Sequence, residues 1–264
     1  MSFFSVNQMT VGYGGRNVVS GISFELEAGS LVGVIGANGS GKTTLLKAIC
    51  GILPHEGTCS FKGNILEKQT PRQISRLCSY IPQRSGISID ISVLDVVLMG
   101  FNPRLGLLER PDSAMNDKAL HALQQVGLSG AKERNYMHLS EGQKQLCILA
   151  RTLVSDSELL LLDEPESSLD FRCRYQMLEI LRGWISQEQR GGMITLHDPA
   201  LALNFCDRLL LLADGRILGK IDPQTDSIEK MEQMLSMIYG SVSLHRCKAR
   251  DGEERLLMLK ENDR

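Results

Sequence analysis

Gly36-Ala37-Asn38-Gly39-Ser40-Gly41-Lys42-Thr43 is the stretch on which the reading of this chain turns. It matches G-x-x-x-x-G-K-[ST], a loop whose glycines let backbone N–H groups turn inward around phosphate oxygens. Lys42 would neutralise the β- and γ-phosphates of a nucleotide, and the Thr43 hydroxyl can hold Mg²⁺. Residues 31–35, just before it, form a short apolar run without alternation, as in a strand covered on both faces. Residues 43–50, just after it, read as a helix stopped at Gly51, and the N-terminus of that helix adds a positive dipole end. Strand, glycine loop and helix open an α/β unit and point to a nucleotide, without saying which kind of NTPase.

A second half of the site is legible 120 residues further on. Leu159-Leu160-Leu161-Leu162-Asp163-Glu164 is a buried strand ending in two carboxylates. Asp163 is placed to hold Mg²⁺, usually through water, and Glu164 to polarise an attacking water. A strand ending in Asp-Glu is plain by itself and gains meaning only beside the phosphate loop. Twenty residues before that strand stands Leu139-Ser140-Glu141-Gly142-Gln143. Ser140 and Gln143 have the spacing of a capping box, which alone implies only the start of a helix running to Val154. A helix N-terminus with an exposed Ser and Gly is also an anion site.

The rest of the chain alternates strands and helices. Ile22-Ser23-Phe24-Glu25-Leu26 alternates as a half-buried strand does. Between about 84 and 157 the spacing turns helical, notably at 93–99 and 117–126, with Gly86, Pro103, Gly106, Pro111 and Gly127 as punctuation. Residues 175–185 read as an amphipathic helix and 193–196 as a strand. Residues 208–213 and 216–221 flank Asp214-Gly215 as a hairpin. Residues 241–247 and 255–260 flank Asp251-Gly252 and read either as a second hairpin or as a solvated charged tail.

Composition removes several classes of function. The 264 residues carry 29 Lys and Arg against 31 Asp and Glu, a net charge of −2, with no long basic run. A nucleic-acid ligand normally demands a basic face, so none is expected. No apolar run approaches the roughly 20 residues of a membrane span. Met1-Ser2-Phe3-Phe4 has no basic region before an apolar stretch, so no signal peptide is expected. Seven scattered cysteines without a C-x-x-C pair suggest free thiols in a reducing cytosol.

The phosphate loop, the pentapeptide and the Asp-Glu strand, in this order, resemble the nucleotide-binding subunits of ATP-binding cassette (ABC) transporters over roughly residues 3–240. The resemblance implies an α/β fold of the P-loop NTPase type: an ABC nucleotide-binding domain with an antiparallel β subdomain and a helical insertion. It implies a domain over 1–240, with the helical subdomain at about 84–157, and a hairpin-like tail over 241–264. Residues 139–143 look like the signature motif, usually L-S-G-G-Q; Glu141 replaces its first glycine and Gly142 keeps the second.

Individual roles follow from that likeness. ATP would be bound by Gly36, Asn38, Gly39, Ser40, Gly41, Lys42, Thr43 and Thr44, with Tyr13 stacked on adenine. Mg²⁺ would be held by Thr43, Asp163 and Gln83. Glu164, His197 and Gln83 would be catalytic, His197 as the switch histidine on the γ-phosphate. Ser140, Gly142 and Gln143 would complete the ATP site of a second subunit, which Asp170, in Ser167-Ser168-Leu169-Asp170, would also meet. Glu166 stands where Thr is common in the family. The expected unit is a dimer of two copies, or of one copy and a paralogous ATPase, with two ATP molecules between them.

The implied partners are separate membrane permease subunits and a substrate-binding protein, and the implied place is the cytoplasmic face of the membrane, as a peripheral subunit. Docking is expected beside Gln83 and around residues 84–110, with Arg84, Phe101 and Arg104 as exposed neighbours. Leu94, Val97 and Leu98 have helical spacing and could simply fill the insertion's core. Residues 92–103 and 196–208 resemble importers of iron–siderophore, haem and cobalamin chelates, with Phe101 in place of an Arg common there. Zinc or manganese importers, and ABC ATPases outside transport, are the alternatives.

Overall fold

The computed structural model describes residues 2–83, 86–106, 108–187 and 189–262. Two sheets organise it. The first is antiparallel, built from β1 (Phe4–Tyr13), β2 (Arg16–Leu26), β4 (Glu56–Phe61) and β5 (Asn64–Ile65) in the order β2-β1-β4-β5. Alternation along these strands buries one face, including Phe4, Val6, Phe24, Leu26, Cys59 and Phe61.

The second sheet has six strands. They are β3 (Leu31–Ile35), β6 (Cys78–Ile81), β7 (Leu159–Asp163), β8 (Gly191–Thr195), β9 (Arg208–Ala213) and β10 (Arg216–Ile221), in the order β10-β9-β3-β8-β7-β6. All pairings are parallel except the edge pair of β9 with β10. Every residue of β3, β7 and β8 is buried, which is why their sequences do not alternate. The period of two instead divides their side chains between two cores. Leu159 and Leu161 pack with Val32, Val34 and Leu45 of α1 (Lys42–Ile49), between the two sheets. Leu160 and Leu162 pack into a larger core with the remaining helices.

The chain between β6 and β7 supplies three of those helices, and the chain after β7 supplies three more. After α2 (Pro71–Leu77), closed by a Thr70–Gln73 capping box, and β6, the chain forms α3 (Val93–Leu98), α4 (Ser113–Gln125) and α5 (Glu141–Val154). Then come α6 (Phe171–Ile185), α7 (Pro199–Phe205) and α8 (Ile228–Tyr239). Among the described residues no helix is long and apolar enough to cross a membrane, and all seven cysteines are free.

The expectation of an exposed Phe101 is overturned: it is only 4% exposed and lies in the core of the helical stretch. The cause is the preceding glycine. A Cβ on Gly100 would stand 2.2 Å from the Arg151 carbonyl oxygen, so this 3-10 turn lies hard against α5 and rolls Phe101 inward. Val97 is fully buried, and Leu94 and Leu98 pack against the same core. Arg104 is exposed, but its guanidinium donates to the Asp156 carbonyl at 2.7 Å. Arg84 lies outside the described residues.

The C-terminal strands β11 (Val242–Lys248) and β12 (Glu254–Lys260) pair in register along their whole length. They are seated on the helices: Val242, Leu244 and Leu256 join the larger core. The Asn204 side chain, on α7, both donates to the Leu256 carbonyl at 2.8 Å and accepts from its N–H at 2.9 Å. Those bonds satisfy the inner edge of β12, so this segment is not a solvated tail.

Candidate functional site

The phosphate loop lies between β3 and α1. At Gly36 a Cβ would fall 2.1 Å from the Leu212 carbonyl oxygen, and Gly41 has φ +105 with Val19 2.9 Å from where a Cβ would be. Only glycine meets both demands, so the spacing of the motif is a packing requirement as well as a turn requirement. Gly41 offers no side-chain cap to α1, which leaves the first N–H groups of the helix free for an anion. The turn at Gly215 pins the loop from outside: its N–H donates to the Ser40 carbonyl and its carbonyl accepts from Ser20 N–H. Asn38 and Gly39 are exposed, while Thr44 is buried. Ser40 Oγ is buried without a protein partner, as expected of a hydroxyl reserved for a ligand.

Lys42 is 5% exposed and donates to the Gly36 carbonyl at 2.9 Å and the Ala37 carbonyl at 3.3 Å. Burial lowers its pKa, and the Glu164 and Asp163 carboxylates act in the opposite sense. Its Nζ stands 3.9 Å from Glu164 Oε1.

The end of β7 brings the two carboxylates to this loop. Asp163 Oδ1 accepts from Thr43 Oγ1 and from Thr195 Oγ1, each at 3.0 Å, and Oδ2 accepts from the Tyr80 hydroxyl at 3.0 Å. Glu164 leaves the strand with φ +48, an uncommon conformation for a side chain of its size. Its N–H donates to Thr195 Oγ1 at 2.8 Å, which fixes that turn. Glu164 Oε2 then accepts from Gln83 Nε2 at 2.7 Å and stands 2.6 Å from His197 Nε2. Thus Lys42, Thr43, Gln83, Asp163, Glu164 and His197 form one cluster from four separate stretches of chain.

The remaining candidates are not joined to this cluster by hydrogen bonds or ion pairs among the described residues. Tyr13 ends β1 and is 51% exposed. Ser140 caps α5: its Oγ accepts from Gln143 N–H at 3.3 Å and its own N–H donates to Gln143 Oε1 at 3.1 Å. Glu141, the departure in this motif, pairs with Lys144 at 2.8 Å. Gly142 runs close to the Ser168 carbonyl, 3.3 Å from where a Cβ would be. Asp170 caps α6, and the Cys173 N–H that it accepts holds its carboxyl below the usual range. Among the described residues, no hydrogen bond or ion pair joins residues 139–143 to the phosphate loop.

Three residues of the cluster's surroundings had no role in the sequence reading. Thr195 is fully buried and links Asp163 to the Glu164 backbone; a hydroxyl at the end of an apolar strand was the available signal. Tyr80 stands three residues before Gln83, but its reach to Asp163 depends on β6 pairing with β7. Glu166 is 3% exposed; its Oε1 accepts from His197 N–H at 3.4 Å and its Oε2 has no partner. Burial pushes its carboxyl above the ordinary range.

Thr43 and Asp163 supply hard oxygen donors already within 3.0 Å of each other, a donor set suited to Mg²⁺. The residues present therefore fit a magnesium nucleotide.

Comparison with known proteins gives concordant results. A family model described as ABC transporter matches residues 19–167. The chain is 35% identical over 241 residues to a hemin import ATP-binding protein of Bordetella pertussis, covering 88% of this chain and 90% of that protein. It is 34% identical over 216 residues to a cobalamin import ATP-binding protein of Halobacterium salinarum, covering 80% of this chain and 53% of that one. An inward-facing structure of an ABC transporter assigned to the metal-chelate type has the same fold, with a TM-score of 0.81 at 24% identity over 99% of each chain.

Proposed function

The chain belongs to the ABC transporter family of ATPases, which hydrolyse ATP in transport, and on that premise we propose that it drives import of a metal chelate through separate membrane permease subunits. The chelate is of the iron–siderophore, haem or cobalamin class, in keeping with relatives named for hemin and cobalamin import. A substrate-binding protein would deliver it, and this subunit would sit peripherally on the cytoplasmic face of the membrane.

In this reading the N–H groups at the start of α1 and Lys42 bind the phosphates of ATP. Mg²⁺, held by Thr43, Asp163 and Gln83, would neutralise charge on the β- and γ-phosphates. Glu164 accepts the proton of the attacking water, and Gln83 and His197 fix its carboxylate in direction. His197, beside Glu164, can turn its Nε2 to the γ-phosphate. Because positioning and charge stabilisation do the chemistry, small displacements of these groups alter the rate strongly.

The observation that supports the quaternary part is that, among the described residues, residues 139–143 make no hydrogen bond or ion pair to the phosphate loop of their own chain. We infer that Ser140, Gly142 and Gln143 act on the ATP held by a second copy, with Asp170 at the same interface and Tyr13 stacking on adenine. ATP then closes the dimer, and hydrolysis reopens it.

Mixing Lys42→Ala chains with Ser140→Ala chains tests this. Some mixed dimers contain one intact composite site, so the mixture is expected to hydrolyse ATP faster than either variant alone. A mixture no faster than the mean of its parts, together with wild-type turnover independent of protein concentration, would overturn the shared site.

A further inference from the structure

A second group of side chains able to ligate a metal lies at the antiparallel sheet and includes none of the residues assigned above. His55 precedes β4, Cys59 lies within β4, and Glu67 belongs to the 3-10 turn Leu66–Lys68 that follows β5. His55 Nε2 is 2.9 Å from Glu67 Oε1 and 3.9 Å from Cys59 Sγ. One ligand atom from each of the three residues lies within 4.8 Å of the others. The other ring nitrogen, Nδ1, faces the Leu53 carbonyl at 3.4 Å. Metal-bound histidines are commonly oriented in this way, with one nitrogen on a carbonyl and the other on the ion.

An ordinary histidine–carboxylate ion pair explains the contact of His55 with Glu67. The Cys59 N–H also donates to Glu67 Oε1 at 2.6 Å, which seats Cys59 at the pair, and its sulfur, 3.9 Å from His55 Nε2, adds a soft donor to the imidazole and the carboxylate. Tetrahedral zinc bonds of about 2.3 Å to sulfur and about 2.0–2.1 Å to nitrogen or oxygen put neighbouring donors about 3.3–3.6 Å apart. The observed 2.9 and 3.9 Å bracket that range, and the sulfur–carboxylate spacing is within 4.8 Å, so side-chain adjustments without backbone rearrangement bring the donors onto one ion. Thiolate, imidazole and carboxylate together favour a thiophilic ion over Mg²⁺ or Ca²⁺.

We propose that His55 Nε2, Cys59 Sγ and a Glu67 carboxylate oxygen bind one thiophilic divalent cation of the Zn²⁺ class, with water as the fourth ligand. Binding releases to solvent the Cys59 thiol proton and the proton shared between His55 Nε2 and Glu67 Oε1, forms the bonds from the ion to sulfur, nitrogen and oxygen, and leaves His55 with its proton on Nδ1, facing the Leu53 carbonyl. Access is from the His55 side, which lines a surface cleft of about 320 Å³ with Thr10, Gly12 and Arg16. The ion would tie the entry to β4, β4 itself and the turn after β5 into one unit. Since Cys59 pairs with Val6 of β1, that unit supports the strand ending at Tyr13.

Cobalt titration of the metal-stripped full-length chain tests the proposal. One equivalent of Co²⁺ is expected to give a thiolate-to-cobalt charge-transfer absorption that Zn²⁺ displaces, and Zn²⁺ is expected to raise the Tm. The oxygen donors of Thr43 and Asp163 cannot produce that band, so binding at the ATP site is distinguished. Cys59→Ser and His55→Gln should each abolish the band. Glu67→Gln should weaken binding by at least the roughly 10- to 100-fold that loss of an outer partner already costs. If Cys59→Ser does not fold, His55→Gln and Glu67→Gln carry the test. Absence of the band in the wild type, or its survival in Cys59→Ser or in His55→Gln, overturns the site.

Discussion

Gln83 Nε2 donates to Glu164 Oε2 at 2.7 Å, joining residues 81 positions apart. The bond connects the segment leaving β6 to the end of β7, and the same carboxylate oxygen faces His197 beyond β8. Movement of Gln83 therefore reorients Glu164 directly. A partner touching the segment after Gln83 would reach the Glu164 carboxylate through one side chain.

Glu164→Gln keeps the size of the side chain and removes its capacity to take a proton. ATP turnover is expected to fall roughly 10²- to 10⁴-fold, the usual loss for a general base. Nucleotide affinity should stay within a few-fold, because Lys42 and the loop are untouched. Steady-state hydrolysis and equilibrium nucleotide binding, measured on one preparation, check both halves. Turnover within a few-fold of wild type would remove Glu164 from the role.

Tyr80→Phe removes the donor that holds Asp163 Oδ2 at 3.0 Å. Burial, and then the Asp163 charge, raise the Tyr80 phenol, so it remains a neutral donor at assay pH. The Mg²⁺ concentration for half-maximal ATPase should rise about tenfold, as when an outer-shell partner is lost. The rate at saturating Mg²⁺ should change little. An unaltered Mg²⁺ dependence would reduce Tyr80 to a packing residue.

Glu166→Gln bears on stability. Burial raises the Glu166 carboxyl above the ordinary 4.5, against opposing N–H bonds from its own backbone and His197. Through that window the folded chain binds more protons than the unfolded one, so stability falls as pH rises. Glutamine does not titrate and keeps an oxygen for the His197 N–H. Glu166→Gln should therefore gain in Tm on the wild type as pH is raised from below 4.5 to neutrality. Thermal melts across that range decide it; a pH-independent difference would contradict the account.

Phe101→Ala should behave as a core truncation, costing about 3–5 kcal/mol, since the ring is buried. It is thus unsuited to probing a docking surface. Ile89 and Leu108 are 52% and 94% exposed on the chain after Gln83. Replacing both by Ser is expected to depress chelate uptake in proteoliposomes while basal ATPase stays near normal. Unchanged uptake would put the docking surface elsewhere.

Much of the parallel sheet and its nucleotide loop was legible because the signals are local. Residues 31–35 and 159–162 are covered on both faces, so each declares itself without reference to the other. Asp214 and Gly215, with φ +46 and +71, announce a tight turn within two residues. Gly36, Gly41, Lys42 and Thr43 follow from what a phosphate demands of one continuous loop, residues 36–43.

What the tertiary structure decided is which side chains face one another across large separations in sequence. Tyr80 reaches Asp163 because β6 pairs with β7 in one register, and Thr195 reaches it because β8 pairs with β7 on the other side. Phe101 turned inward because Gly100 admits the Arg151 carbonyl, fifty residues away. Glu166 is buried behind His197 by the meeting of two loops. A motif records the backbone conformation its own residues need. The direction of a side chain between packed elements is set by which segments share a core, and that is fixed only when the chain has folded.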